Sequence, residues 1–457
     1  MTPIIVILLL FSYLLIATTH LTGVNKAAIS IFLAAIGWVV YISWGTDYIM
    51  DLHSVAYSVY LGENASNSDM VKNFIYDNVF LNYVGKAAAI VMYLLATMSI
   101  IEILNTNGCF DFINQWIRTR NSNRLLWTIT LATFVLSANI DNLTTTIVML
   151  IMMHSIVRSR AQRMLIGSAV VLAAVCGGCF TVIGDPTGLL LWGNEAVTAT
   201  DFSSYLALPA LVAWIVPTLL IGRQLPSRLD VDWGTAPFRG DDTRLNRWQR
   251  MLMLIVGLGG LWFIPTFLSI TRLPAFLGAL VVLSLLWVVN EAFNRKFMDA
   301  DQMSQRRIPR VIQYEAIQQV LFVMGIMLGL GVVAETGVFT DVADWMDATI
   351  GDIWLIGIIS GIFSSLVDSF TIAASGISLY DIWSAGDYAQ NGLYWKVIAY
   401  CTAVGGCLLS VGSVCGLALM KMEHIHFGWY FKNVSFKVLL GWLLGLAILW
   451  TESLFFS

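Results

Sequence analysis

The sequence predicts an all-α polytopic membrane protein, about ten transmembrane helices plus two re-entrant hairpins in an inverted repeat. Three observations carry that expectation. Hydrophobic residues make up 58% of the 457 and charged ones 12%, against roughly 45–50% and about 25% in an ordinary soluble protein. Apolar runs of roughly 20 residues, the length that crosses a 30 Å hydrocarbon core, recur along the chain. Two further apolar stretches are cut by polar clusters, and the two halves of the chain repeat each other around those cuts.

The composition excludes a soluble globule, and a net charge of -4 is too small to suggest nucleic acid as a partner. No nucleophile–base pair and no metal-ligand cluster supports an enzyme. The run Ile4 to Thr18 has no basic residue before it and no small-residue cleavage pattern after it, so it reads as a retained span. Cys176 and Cys179 form a C-x-x-C inside an apolar, glycine-rich run without nearby histidines, which reads as small packing residues.

In chain order the spanning runs are Ile4–Thr18, Ala27–Trp44, Ala87–Leu104, Met164–Trp192, Tyr205–Ile221, Met251–Phe267, Ala275–Val289, Ala316–Ala334, Val397–Met420 and Val434–Trp450. Leu125 to Ile156 is interrupted by Ser137-Ala138-Asn139-Ile140-Asp141-Asn142, and Ile353 to Tyr380 by Ser364-Ser365-Leu366-Val367-Asp368-Ser369. Each arm is too short to cross alone at about 1.5 Å per residue. Each stretch is therefore one broken span or a re-entrant hairpin, whose polar tip is tolerated at membrane depth only inside protein or a wet cavity.

Basic residues decide between the two. With both stretches as hairpins, one face holds only Lys72, Lys86, Arg272 and Lys396, and the other face holds the remaining 21 of 25, Lys26 among them. Full crossings degrade the split to 17 against 8. The positive-inside rule thus favours hairpins, places both termini outside, opens the first hairpin to the cytoplasm and opens the second to the exterior.

Gly108, Phe110 and Trp116 recur as Gly337, Phe339 and Trp345; Ser137, Asp141 and Thr144 recur as Ser364, Asp368 and Thr371. Gly177, Gly178, Cys179, Gly184 and Gly188 recur as Gly405, Gly406, Cys407, Gly412 and Gly416. The offset stays between 227 and 229, and five spans separate Ala87 from Ala316, so the second copy is inverted. The chain divides into a first repeat (1–222, hairpin about 125–156, broken helix at 184–188), a cytoplasmic linker (223–250) and a second repeat (251–457, hairpin about 353–380, break at 412–416). Inverted repeats with broken helices meeting at the midplane are a recurring plan of secondary transporters.

The intramembrane chemistry centres on Asp141, set among Ser137, Asn139, Asn142, Thr144, Thr145 and Thr146, hard oxygen ligands suited to an alkali cation. Asp368, with Ser364, Ser365, Ser369 and Thr371, repeats the pattern, although Asp, Asn and Ser equally favour helix N-caps. Gly184-Asp185-Pro186-Thr187-Gly188 predicts an unwound segment exposing carbonyls, with Asp185 and Thr187 as candidates and Ser413 as the neutral counterpart of Asp185. Glu102 is a candidate proton relay near the cytoplasmic end of its helix; Glu335 reads as an exterior rim residue and His154 as a structural one.

The run from Ser137 to Met149 resembles the signature of the NhaD-type sodium/proton antiporters, in the ion transporter superfamily that also holds arsenite-efflux and divalent-anion transporters. Gly184-Asp185 with Thr187, the run Leu321 to Leu328, and Gly412 to Gly416 through Met422-Glu423 to Trp429-Tyr430 are similar to that family too. The second tip departs from the family's Asp-Asn-Val-Pro, reading Asp368-Ser369-Phe370-Thr371. The resemblance implies a homodimer of two-domain protomers, a scaffold beside a transport domain that holds the hairpins and broken helices and works as an elevator.

The expected function is exchange of cytoplasmic Na⁺ (or Li⁺) for external H⁺ across the bacterial cytoplasmic membrane, serving pH homeostasis, with no cofactor beyond the transported ions. Na⁺ is expected at Asp141, Asn142 and Asp368, and competition between cation and proton predicts a strong pH dependence. The rival is a sodium-coupled carboxylate or oxyanion carrier, which needs neutral tips and free helix N-termini.

Overall fold

A bilayer offers main-chain N–H and C=O groups no water, so each apolar run must satisfy them within itself and becomes a helix. The computed structural model describes residues 2–110, 119–231, 245–294 and 310–456. Trp116 of the first repeat block and residues 232–244 of the expected linker lie outside them. The helices that position the site are α1 (Thr2–Ala17), α2 (Lys26–Ser43), α3 (Leu81–Thr106), α4 (Ser122–Ser137), α5 (Asn142–Ile156), α6 (Arg160–Cys179), α7 (Pro186–Gly193) and α8 (Ala199–Gly222). After the undescribed segment come α9 (Arg247–Thr271), α10 (Ala275–Asn294), α11 (Arg310–Ala334), α12 (Val338–Thr349), α13 (Ile353–Leu366), α14 (Ser369–Leu379), α15 (Leu393–Gly405), α16 (Val414–Glu423) and α17 (Phe436–Phe456).

Among the described residues eight helices are long and apolar enough to cross a membrane, fewer than the ten runs read from sequence. The first run forms only the 16 residues of α1, and Val397–Met420 divides into α15 and α16. Both broken helices unwind earlier than the 184–188 and 412–416 motifs suggested: α6 ends at Cys179 and α15 at Gly405, while α7 and α16 resume at Pro186 and Val414. The reason is local. Pro186 occupies the first helical position, where its missing N–H is no loss, so this proline starts a helix instead of ending one.

The two interrupted stretches fold back on themselves as helix pairs. Leu229 N–H donates to the Arg120 carbonyl (3.0 Å) and Arg158 N–H to the Asp230 carbonyl (2.9 Å), so adjacent residues of one segment bridge the start of α4 and the end of α5. At the second pair, Tyr380 just past α14 donates its hydroxyl to Asp347 on α12, which leads into α13 (2.8 Å). With its 16 residues, α4 is about 24 Å long, short of a full crossing.

Helices α2 and α11 pack through small residues: a methyl added at Gly325 would meet the Ile31 backbone at 2.7 Å, and one at Gly329 would meet Leu33 at 2.8 Å. Helices α8 and α17 approach as closely, with Gly445 against the Pro209 carbonyl and Gly441 against Pro217. Around them α4 packs on α6, α13 on α15, and α10 on α3. Glu335, expected as an exterior rim residue, is enclosed by aromatic side chains. It is 6% exposed and accepts from Tyr41 (3.1 Å) and Tyr83 (2.9 Å), with His53 Nε2 at 2.6 Å.

Candidate functional site

Four short helices, α5, α7, α14 and α16, begin at one place, and their first residues line a closed cavity of about 20 Å³ together with Gln319 of α11. That volume holds about one water-sized occupant. Each N-terminus is capped by the side chain before it, Asp141, Asp185, Asp368 and Ser413 in turn. Of these capping side chains Asp185 and Ser413 line the cavity, while Asp141 and Asp368 each stand directly before a residue that does, Asn142 and Ser369. Each helix end carries roughly half a positive charge, which favours a negative charge beside it.

The first tip is built around Asp141, 3% exposed. Its Oδ2 accepts the Thr144 N–H (3.0 Å) and hydroxyl (3.1 Å), and its Oδ1 accepts Nε2 of Gln319 (3.2 Å). Asn142 next door donates from Nδ2 to Oδ1 of Asp185 (2.7 Å), whose Oδ2 accepts the Thr187 N–H (3.1 Å). Thr145 Oγ1 and Gln319 Oε1 are buried without a hydrogen-bond partner. Polar atoms so left ask for an occupant, because an unmade buried hydrogen bond costs about 1–3 kcal/mol.

The second tip repeats the frame. Ser364 Oγ donates to the Thr402 carbonyl (2.6 Å), as Ser137 Oγ does to the Ala174 carbonyl (2.5 Å). Ser369 N–H reaches the Gly412 carbonyl (2.9 Å), as Asn142 N–H reaches Gly184 (3.2 Å). Asp368 is fully buried, its Oδ1 accepting from Phe370 N–H (3.1 Å), Thr371 N–H (3.2 Å) and the Thr371 hydroxyl (3.4 Å). Its Oδ2 faces Lys26, whose Nζ stands 2.9 Å away and also 3.5 Å from the Val411 carbonyl.

Lys26 and Gln319 are the site residues that sequence reasoning missed. Lys26 was counted as one more basic residue on the positive face, yet it is 9% exposed. The available signal was its position as the first residue of an apolar run, behind the Asn25 cap. Gln319 had a similar signal, a buried amide at the head of the apolar run that forms α11.

The other expected residues separate. Ser137 and Ser364 spend their hydroxyls on tying the hairpins to the broken helices. Asn139 turns away, donating to the Val135 carbonyl (2.7 Å) and accepting from Trp262 Nε1 on α9. Glu102 lies on α3, where Thr106 one turn on donates to it (3.0 Å), and it does not line the closed cavity. His154 pairs with Glu423 (2.8 Å), and Arg163 Nε reaches the same carboxylate (2.9 Å), which clamps α5, α6 and α16 together.

A wide vestibule of about 550 Å³ adjoins the closed cavity, sharing Gln319, Phe322 and Val414 with it, and has Lys26 in its wall and Lys421, His424 and His426 among its lining. A second space of about 540 Å³, lined by Lys86 and Arg272 among others, lies between α3, α7 and α10 and shares no residue with the closed cavity. The vestibule thus meets the small cavity, and the second space does not.

A family model described as "Citrate transporter" matches residues 1–381. The chain is 32% identical over 371 residues to "Sodium/proton antiporter 1" of Arabidopsis thaliana, covering 79% of this chain and 62% of that one, so the match spans less than two thirds of that relative. It is 31% identical over 363 residues to "Sodium/proton antiporter 2" of the same plant, covering 79% and 84%. With "Na(+)/H(+) antiporter NhaD" of Vibrio cholerae the identity is 24% over 366 residues, covering 74% and 72%. Among solved structures, the Alcanivorax borkumensis YdaH transporter matches with a TM-score of 0.55 at 12% identity over 86% of this chain and 91% of that one, a likeness of fold.

Proposed function

The chain belongs to the citrate transporter family of the ion transporter superfamily, and from that premise we propose that it is a secondary carrier exchanging cytoplasmic Na⁺ (or Li⁺) for external H⁺. The observation that carries the reading is Asp185 in the wall of one ion-sized cavity with Asp141 next to its Asn142 wall, and among the described residues no basic side chain is hydrogen-bonded to either carboxylate. A buried carboxylate and a half-buried one, with hydrogen bonds but no cation among the described residues, call for one, since unpaired buried charge costs several kcal/mol. A proton satisfies the same oxygens, so the two ions compete for them. Asn142, Thr145, Thr187 and the Gln319 oxygen supply further ligands. The names of the plant and bacterial relatives point the same way.

The chain is a multi-pass membrane protein. In this reading it resides in the bacterial cytoplasmic membrane as a homodimer with both termini outside, and the vestibule beside Lys421 and His424 is the cytoplasmic access route. Helices α1–α3 and α9–α11 form the scaffold, and the two hairpins, broken helices, α8 and α17 form the moving core, so each inverted half contributes to both. Tyr13–Ser375, Lys26–Asp368, Gln319–Asp141 and Trp262–Asn139 cross between them and exchange partners when the core moves.

The test uses purified protein in sealed liposomes with a trapped pH dye, pulsed with Na⁺, Li⁺, K⁺, succinate and citrate. Proton movement on Na⁺ or Li⁺ addition, abolished in Asp141→Asn, is expected. The family description favours one rival, a sodium-coupled carboxylate carrier, which sodium-dependent uptake of labelled citrate or succinate without cation-driven proton movement would establish instead. Against that rival, three of the four converging helix ends are already occupied by carboxylates, leaving only the Ser413 end neutral.

A further inference from the structure

The two repeats place equivalent carboxylates against equivalent breaks, yet only one of them has a cation. At the second tip the Lys26 ammonium lies 2.9 Å from Asp368 Oδ2 and 3.5 Å from the carbonyl of Val411, in the unwound stretch between α15 and α16. A carboxylate oxygen plus carbonyls freed by a broken helix is the coordination an alkali ion takes in carriers of this plan. The repeat offset of 228 makes Ile183 the counterpart of Val411, and Asp141 is the counterpart of Asp368. The first repeat therefore offers the same kind of position, with the neutral Gln319 amide beside it instead of a charge.

We propose that Lys26 is a tethered cation that fills the second repeat's ion position in this vestibule-open conformation, restricting each chain to one exchangeable alkali ion, held at Asp141 and Asp185. This rests on the cation-exchange reading above. Asp368 is then charge-balanced without Na⁺, and Lys26 sets the stoichiometry while touching the transported ion nowhere. The lysine sits on α2, packed on α11, and its partner sits on a hairpin tip, so the bond also registers the core against the scaffold. Removing the ammonium leaves a buried carboxylate that must take up a cation from the vestibule, whose wall Lys26 forms.

Equilibrium binding of ²²Na⁺ to purified protein in nanodiscs at alkaline pH counts the ions per chain. The expected counts are one for the wild type, two for Lys26→Gln, one for Lys26→Arg, and one for the double variant Lys26→Gln/Asp368→Asn, in which both partners are neutral. A count that stays at one in folded Lys26→Gln overturns the proposal. So does loss of binding in the folded double variant, which would place the exchangeable ion on Asp368. Should Lys26→Gln fail to fold without salt, its thermal stability is followed against added Na⁺: rescue by Na⁺ and not by choline is expected, and equal behaviour in the two salts overturns the proposal. Absence of Na⁺ binding in the wild type overturns the exchange reading and this inference with it, a result distinct from an unchanged count.

Discussion

The two inverted halves share one frame and differ in charge. Ser137 and Ser364 make the same bond to the broken helix beside them, Asn142 and Ser369 the same main-chain bond to a glycine carbonyl, and Asp141 and Asp368 the same cap. Where the first half has Asn142 bonded to Asp185, the second has Ser369 and Ser413; and across the halves Asp141 meets Gln319 of the second while Asp368 meets Lys26 of the first. The first half thus holds two uncompensated carboxylates and the second half one compensated carboxylate. Inversion copied the geometry, which depends on glycines and main chain. Differences at two equivalent positions, 142 against 369 and 185 against 413, and the unlike neighbours Gln319 and Lys26 then set the charge balance of the two copies apart.

The comparison breaks most severely at Asp141. Removing the more deeply buried of the ion's two carboxylate partners costs about 3 kcal/mol, so Asp141→Asn is expected to weaken Na⁺-driven exchange by about 100-fold in the liposome assay. Exchange within a factor of a few of wild type would remove Asp141 from the site. Copying the second half into the first with Asp185→Ser is expected to raise the Na⁺ concentration for half-maximal exchange about tenfold, since Asp141 remains, at about 1.4 kcal/mol. The converse change, Ser413→Asp, keeps a good cap and adds a negative charge to the cavity, so it should lower that concentration; a rise would show that charge balance does not decide the difference.

Glycine substitutions test the sameness. A methyl at Gly184 would stand 2.6 Å from the Ser137 carbonyl oxygen and one at Gly412 2.6 Å from that of Ser364, so Gly184→Ala and Gly412→Ala should each cost about 1–3 kcal/mol. Thermal unfolding in detergent should show two similar drops, and a drop in one alone would mean that the halves are not mechanically equivalent. The smallest effect is expected at His154→Ala. That side chain is 51% exposed and Arg163 keeps its hold on Glu423, so the loss should stay below about 1 kcal/mol.

Much of this was legible in the residues. Asp141 and Asp368 inside apolar stretches marked the breaks because a carboxylate in an apolar run is costly unless it is partnered. The near-constant offset between Gly177, Gly184 and Gly405, Gly412 marked the repeat because close main-chain approach tolerates no side chain. The position of the breaks was read a few residues late, because Pro186 was taken as the interruption when it opens the next helix. Asn139 was grouped with the ligands on proximity in sequence, and one step along the turn carried its side chain to Trp262 instead.

By itself the sequence determined the helices, the polar breaks in them and the burial of Asp141 and Asp368, because hydropathy, glycine and capping chemistry act within a few residues. Only the tertiary structure decided what each carboxylate faces. Lys26 lies 342 residues from Asp368 and Gln319 178 residues from Asp141, on scaffold helices whose own periodicity carries no mark of the partner. A charge pair across such separations is set by how α2 and α11 pack, and that packing assigns the lysine to one repeat and the neutral amide to the other.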